Sequence, residues 1–201
     1  SGQLVAEALR LYGRRFWAAL ALGVGPLAVA LTVNALPGRT GLVFLATGGA
    51  LVFTVCYVVA ALLAGEVRPP RQSILTALAL GVLVFAPVPF LTVSLIFPGL
   101  IWLALFGFAV PVALNEEKGL RQSIRRSLSL ARADFVHALG SLAALAIVGF
   151  IGAITLAFLL GQFGEQSRTV AAVIPLVLVS PLLFLGSALL YFDQEARLRA
   201  Q

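Results

Sequence analysis

From Gln72 to Asn115 the chain runs for 44 residues without one Asp, Glu, Lys or Arg. A single helix of that length would measure about 66 Å at about 1.5 Å per residue. That is roughly twice the ~30 Å hydrocarbon core of a bilayer, so the interval must fold back on itself. Phe97-Pro98-Gly99 marks the place. A proline cannot continue an incoming helix, and a glycine tolerates the backbone of a reversal. Two membrane spans are predicted, at about 73–96 and 98–115.

Four further intervals, 16–37, 41–65, 135–164 and 169–192, also lack formal charge. Each exceeds the ~20 apolar residues that a spanning helix needs. They predict spans at about 16–36, 42–64, 135–161 and 169–192, six in all. Composition agrees: the chain is 61% hydrophobic and 11% charged, against about 45–50% and about 25% in soluble domains. The first run follows Arg14-Arg15, a hint of a twin-arginine signal. It is longer than the ~7–15-residue core of a signal peptide, so a retained span is expected. The 201 residues suit one membrane domain, 1–201, with no room beside six spans for a soluble catalytic unit. The chain holds no Met, so its natural start is expected to lie outside the sequence. Cys56, the only cysteine, sits in an apolar run and is expected to be a small buried residue.

The charges test the count. With six spans, Arg10, Arg14, Arg15, Arg68, Arg71, Lys118, Arg121, Arg125, Arg126, Arg132, Arg197 and Arg199 fall on one side, twelve of the fourteen basic residues. Arg39 and Arg168 fall on the other. The positive-inside rule makes the crowded side cytoplasmic, with both termini there. The +6 net charge is thereby explained without nucleic acid, whose binders cluster basic residues on a soluble fold. A multi-pass membrane localisation is expected.

Two segments on the basic side are amphipathic. In 3–15, Leu4, Val5, Ala8, Leu9 and Tyr12 recur at helical spacing and continue to Phe16, opposite Glu7, Arg10 and Arg14. In 117–133, Leu120, Ile124, Leu128 and Ala131 oppose Lys118, Arg121, Arg125 and Arg132. Both are expected to lie at the headgroups with cations toward anionic lipid. The predicted fold is an all-α, polytopic bundle of about six spans with two cytoplasmic interfacial helices.

Candidate chemistry is sparse. All eight Asp and Glu residues lie at or beyond span ends, which argues against a proton-coupled pump. No nucleotide loop, zinc-protease motif or nucleophile elbow is present, and no metal or cofactor is expected. His137, three residues after Asp134, is expected to hydrogen-bond at the interface or to meet a headgroup. Pro87, Pro89, Pro98, Pro111, Pro175 and Pro181 are candidate helix breaks or cavity positions, as is Pro26, because each removes a helical donor. Pro87-Val88-Pro89 should be the sharpest break. Thr92, Ser94, Ser180 and Ser187 are the candidates for a polar path. Gly48-Gly49, Gly149 and Gly152 are expected to let helices approach.

Several of these residues recur in one order. Pro98-Gly99 opens a span; Ala109-Val110-Pro111 stands near its end, then Glu116 or Glu117 and Gly119. Arg126-Ser127 and Leu130 follow in the amphipathic stretch, and Tyr191-Phe192-Asp193 with Arg197 closes the chain. Leu9 and Tyr12 through Arg15-Phe16 fit an interfacial helix before span one. The sequence thus resembles the membrane domain of some bacterial glycerophosphoryl diester phosphodiesterases and of related membrane proteins. It departs at Asp193-Gln194-Glu195-Ala196-Arg197, where that group has a tighter Asp-x-Arg. The resemblance implies a six-span module acting near lipid. It carries no enzyme activity over, because in the fused proteins that belongs to a separate barrel.

The expected function is a non-enzymatic module that binds lipid or assists its movement at the cytoplasmic leaflet. The expected headgroup contacts are Arg14, Arg15, Arg121, Arg125, Arg126, His137 and Arg197, with anionic lipid as partner. A channel or transporter for a small neutral solute is the alternative. A scaffold that docks a protein partner or a second copy is another. A lipid enzyme would have to draw on Glu116, Glu117, Asp134, His137 and Asp193.

Overall fold

A computed structural model describes residues 2–65, 69–94, 96–161 and 167–199. Among them no strand occurs, and six helical stretches are long and apolar enough to cross a membrane. This is a multi-pass membrane protein. Helix α1 (Gly2–Arg14) leads, after a bend at Arg15, into α2 (Phe16–Ala35), the first span. The second span runs from α3 (Gly38–Phe44) through a π turn at Leu45–Gly49 into α4 (Ala50–Gly65). The third is α5 (Arg71–Phe85) and α6 (Val88–Ser94); the fourth is α7 (Ile96–Phe106) and α8 (Ala109–Asn115). Helix α9 (Leu120–Ala133) links them to α10 (Phe135–Gly161) and α11 (Ser167–Arg199), the last two spans.

Helix α11 is the hub, packing on α1, α2, α4, α9 and α10. Span ends expected on one side do meet. A Cβ on Gly65 would lie 2.8 Å from Asn115 Oδ1 and 3.3 Å from Phe192 Cζ. His137, at the start of α10, bonds Asp193 near the end of α11.

Three expectations are corrected. The reversal does not lie at Phe97–Gly99, which is helical. Pro98 occupies the first turn of α7, where its missing N–H costs nothing; α6 ends at Ser94 and α7 begins at Ile96, and residue 95 lies outside the described residues. Likewise Gly38–Thr40, left outside the predicted spans at 16–36 and 42–64, already belongs to α3. The third concerns α9. Its docked face only partly coincides with the predicted apolar stripe: Ala131 is buried and Ile124 packs on the core, but Ser123, Ser127 and Leu130 are buried as well, while Leu120 is 49% exposed. The serines win because they answer carbonyls. Ser127 Oγ donates to Leu105 O at the end of α7 (2.7 Å), and Ser123 Oγ donates to Lys118 O (3.0 Å).

The same logic holds the broken spans together. A proline leaves the carbonyl four residues earlier without its helical donor, and in lipid that carbonyl needs another. Pro111 frees Gly107 O, which accepts from Tyr57 Oη at 3.0 Å. Pro26 frees Leu22 O, which the Cys56 thiol approaches at 3.6 Å. At the end of α5, Trp102 Nε1 donates to Val84 O at 2.9 Å. These side chains lie on other helices, so each repair is also an interhelical tie.

Tyr57→Phe should therefore cost about 1–2 kcal/mol, because it leaves a buried carbonyl unsatisfied. In a Pro111→Ala background, where residue 111 regains an N–H, the same change should cost about 1 kcal/mol less. Thermal unfolding of the four proteins checks this, and equal costs in both backgrounds would remove the proposed tie.

Candidate functional site

The helix breaks converge. Pro26, the Phe85–Val88 break, the Gly107–Phe108 break and Leu176 to Ser180 of α11 all border one cavity of about 350 Å³. All six spans contribute, with Phe53 and Tyr57 from α4 and Leu142 from α10. None of its lining residues carries a formal charge, and most stand near the middle of their spans. The volume falls within the ~300–1,000 Å³ of ordinary ligand pockets. The lining is almost wholly apolar, and the cavity is partly open rather than sealed.

Few polar atoms reach it. Tyr57 Oη is committed to Gly107 O, and Ser180 Oγ donates to Leu176 O at 2.6 Å within its own helix. Ser187 adds a third hydroxyl. Thr92 does not line the cavity; its hydroxyl bonds Val88 O and Pro89 O. The side chain of Ser94 lies outside the described residues. A continuous hydroxyl path is not formed by the candidates that can be placed.

A charged cluster lies at the basic end. Glu116, at the end of α8 with its side chain 17% exposed, pairs with Lys118 and with Arg126 Nε at 3.2 Å. Tyr191 Oη donates to the same carboxylate at 3.1 Å. Burial alone would raise the Glu116 pKa; the hydrogen bonds and charges of Lys118 and Arg126 outweigh it and hold the group below its ordinary range. Beside this knot, Asp193 Oδ2 meets His137 Nε2 at 2.8 Å and Arg197 Nε at 3.1 Å. Arg197 also reaches Asp134 at 3.6 Å. Asp134 Oδ1 caps α10 by accepting from the His137 N–H at 3.1 Å.

Ser141 Oγ lies 3.5 Å from His137, on the same Nε2 that Asp193 holds. A Ser-His-Asp relay needs the two partners on opposite ring nitrogens, so this trio orients the ring without activating the serine. Among the described residues no three His, Cys, Asp or Glu side chains converge as metal ligands.

The structure thus divides the expected headgroup contacts. Arg126, His137 and Arg197 are engaged in the cluster. Arg121 and Arg125 are exposed on α9 and make no ion pair among the described residues. Arg14 and Arg15 are exposed at the end of α1. Of the prolines, Pro87 and Pro89 flank the α5–α6 break, Pro111 acts through Gly107, and Pro175 and Pro181 lie inside α11. Tyr57 and the lining phenylalanines were not anticipated. Their signal, an aromatic inside an apolar run, is shared with every lipid-facing ring.

Compared with protein-family models, curated proteins and solved structures, the chain matches none of them.

Proposed function

We propose that this chain is a non-enzymatic module of the bacterial inner membrane, with both termini cytoplasmic, that binds lipid or assists its movement at the cytoplasmic leaflet. The observation that carries the reading is the apolar cavity where the helix breaks meet. A hydrocarbon chain is the ligand that such walls favour, at about 0.8 kcal/mol per methylene removed from water. A polar solute would lose its hydration there and gain few partners. The free cations of α9, Arg121 and Arg125, supply attraction for anionic headgroups at about 1 kcal/mol each. The resemblance to phosphodiesterase membrane domains points the same way.

Native mass spectrometry of the detergent-solubilised protein tests both halves. Ser187→Leu, which extends into the cavity, should cut the alkyl-bearing molecules retained at high collision energy by at least half. Arg121→Gln with Arg125→Gln should weaken anionic lipid retention about tenfold and leave zwitterionic lipid unchanged. Unchanged retention in both proteins would refute the reading.

A further inference from the structure

We propose that a second, polar pocket at the basic end takes a phosphate group joined to a primary ammonium, the chemistry of a phosphoethanolamine headgroup. The pocket, about 210 Å³, lies between the first turns of α5 (Pro70, Gln72, Ser73, Thr76) and the entry to α9 (Glu117, Lys118, Gly119). It stands apart from the central cavity: along α5 the fully buried Ala77 and Leu80 lie between the two. The proposal does not depend on what the cavity holds.

Two helix N-termini border the pocket. In α5 the N–H groups of Ser73 and Ile74 are answered by Pro70 O, which leaves those of Arg71 and Gln72 without a helical acceptor. In α9 the Ser123 N–H is answered by Gly119 O, which leaves Leu120, Arg121 and Gln122 in the same position. Such ends favour phosphate oxygens. Ser73 supplies the independent sign of a ligand. It lines the pocket at 6% exposure, and its hydroxyl has no hydrogen bond among the described residues. Thr76, by contrast, is committed to Gln72 O.

The charges select the rest of the ligand. Lys118 shares the Glu116 carboxylate with Arg126, whereas Glu117 makes no ion pair among the described residues. A simple anion would leave the Glu117 carboxylate on the pocket wall unanswered. A zwitterion satisfies both ends, with phosphate at the helix termini and ammonium at Glu117. A primary ammonium has N–H groups for that carboxylate, and a trimethylated one has none.

Native mass spectrometry with dioleoyl phosphatidylethanolamine, phosphatidylcholine and phosphatidylglycerol at equal concentration is the test, with melting curves confirming that each variant folds. Phosphatidylethanolamine should be retained about fivefold over phosphatidylcholine. Glu117→Gln should abolish that preference without reducing phosphatidylglycerol, and Ser73→Ala should reduce phosphatidylethanolamine. Competition by soluble O-phosphoethanolamine would support the shared chemistry and name the free compound as occupant; its failure to compete would name the lipid. Equal retention of the two zwitterionic lipids, a preference that survives Glu117→Gln, or equal competition by inorganic phosphate would overturn the proposal.

Discussion

Gly23→Ile is expected to abolish the folded bundle, and Gly23→Ala to cost about 3 kcal/mol. A Cβ at Gly23 would stand 2.1 Å from Val177 O and 2.8 Å from Val177 C and Cα. These are backbone atoms of α11, so no rotamer change relieves the collision; the helices α2 and α11 must separate. Transmembrane helices associate through packing rather than water exclusion, so a lost close approach is not otherwise recovered. Val177 O is also the carbonyl that Pro181 deprives of its helical donor, and the glycine lets α2 come close against it. Gly13→Ala, where a Cβ meets nothing within 4 Å, should be neutral or stabilising by up to about 1 kcal/mol. Fluorescence-detected size exclusion after a heating series checks the set. A Gly23→Ile protein that melts within a few degrees of the parent would refute the α2–α11 packing described here.

The second large effect concerns Glu116. Glu116→Ala removes the partner of Arg126, Lys118 and Tyr191 together and should cost about 2–3 kcal/mol. Glu116→Gln keeps an acceptor for Tyr191 and should cost less. The carboxyl is held below its ordinary value of 4.5 in the folded protein. Its contribution is therefore complete above that value and is lost as pH falls through the lower, folded-state value. Between pH 6 and pH 3 the parent should lose more melting temperature than Glu116→Gln does. Parallel losses would show that the carboxylate adds nothing through its charge.

The six spans and the shared end of the basic residues were legible because charge is scarce, and its spacing alone sets which stretches enter lipid. The Pro87-Pro89 break was legible for a similar reason: two prolines in three residues leave no helical alternative. The Gly107–Phe108 break was only half legible, since Pro111 is a candidate break in the sequence but the position of the break and its repair are not legible there. Its cause, Pro111, sits four residues downstream, and its repair comes from Tyr57, fifty residues upstream. The π turn at Leu45–Gly49 has no proline and no charge to announce it. Of the predicted glycine approaches, a Cβ on Gly149 would lie 3.1 Å from the Val179 and Leu183 side chains, while one on Gly152 would make only an ordinary contact at 3.9 Å. Apolar periodicity also missed part of the docked face of α9, although Ile124 and Ala131 do lie on it. It weighs Leu120 above Ser127, although the unanswered carbonyl of Leu105 makes the serine the better partner.

The cluster at the basic end was half visible. Asp134, His137, Asp193 and Arg197 were named from the sequence, but the bond between His137 and Asp193 spans 56 residues and needed the packing of α10 on α11. The cavity was less visible still, since it is made by what six helices leave empty.

Whether that cavity holds a hydrocarbon chain is tested most directly by quenching of Trp102, which hydrogen-bonds Val84 O beside the break and adjoins the lining residue Leu103. Trp17→Phe leaves Trp102 as the single tryptophan of the chain. In nanodiscs of lipids brominated on the acyl chain, Trp102 fluorescence should be quenched. Filling the cavity with Ser180→Leu and Ser187→Leu should remove at least half of that quenching while the melting temperature holds. Equal quenching with the cavity open and filled would contradict the account.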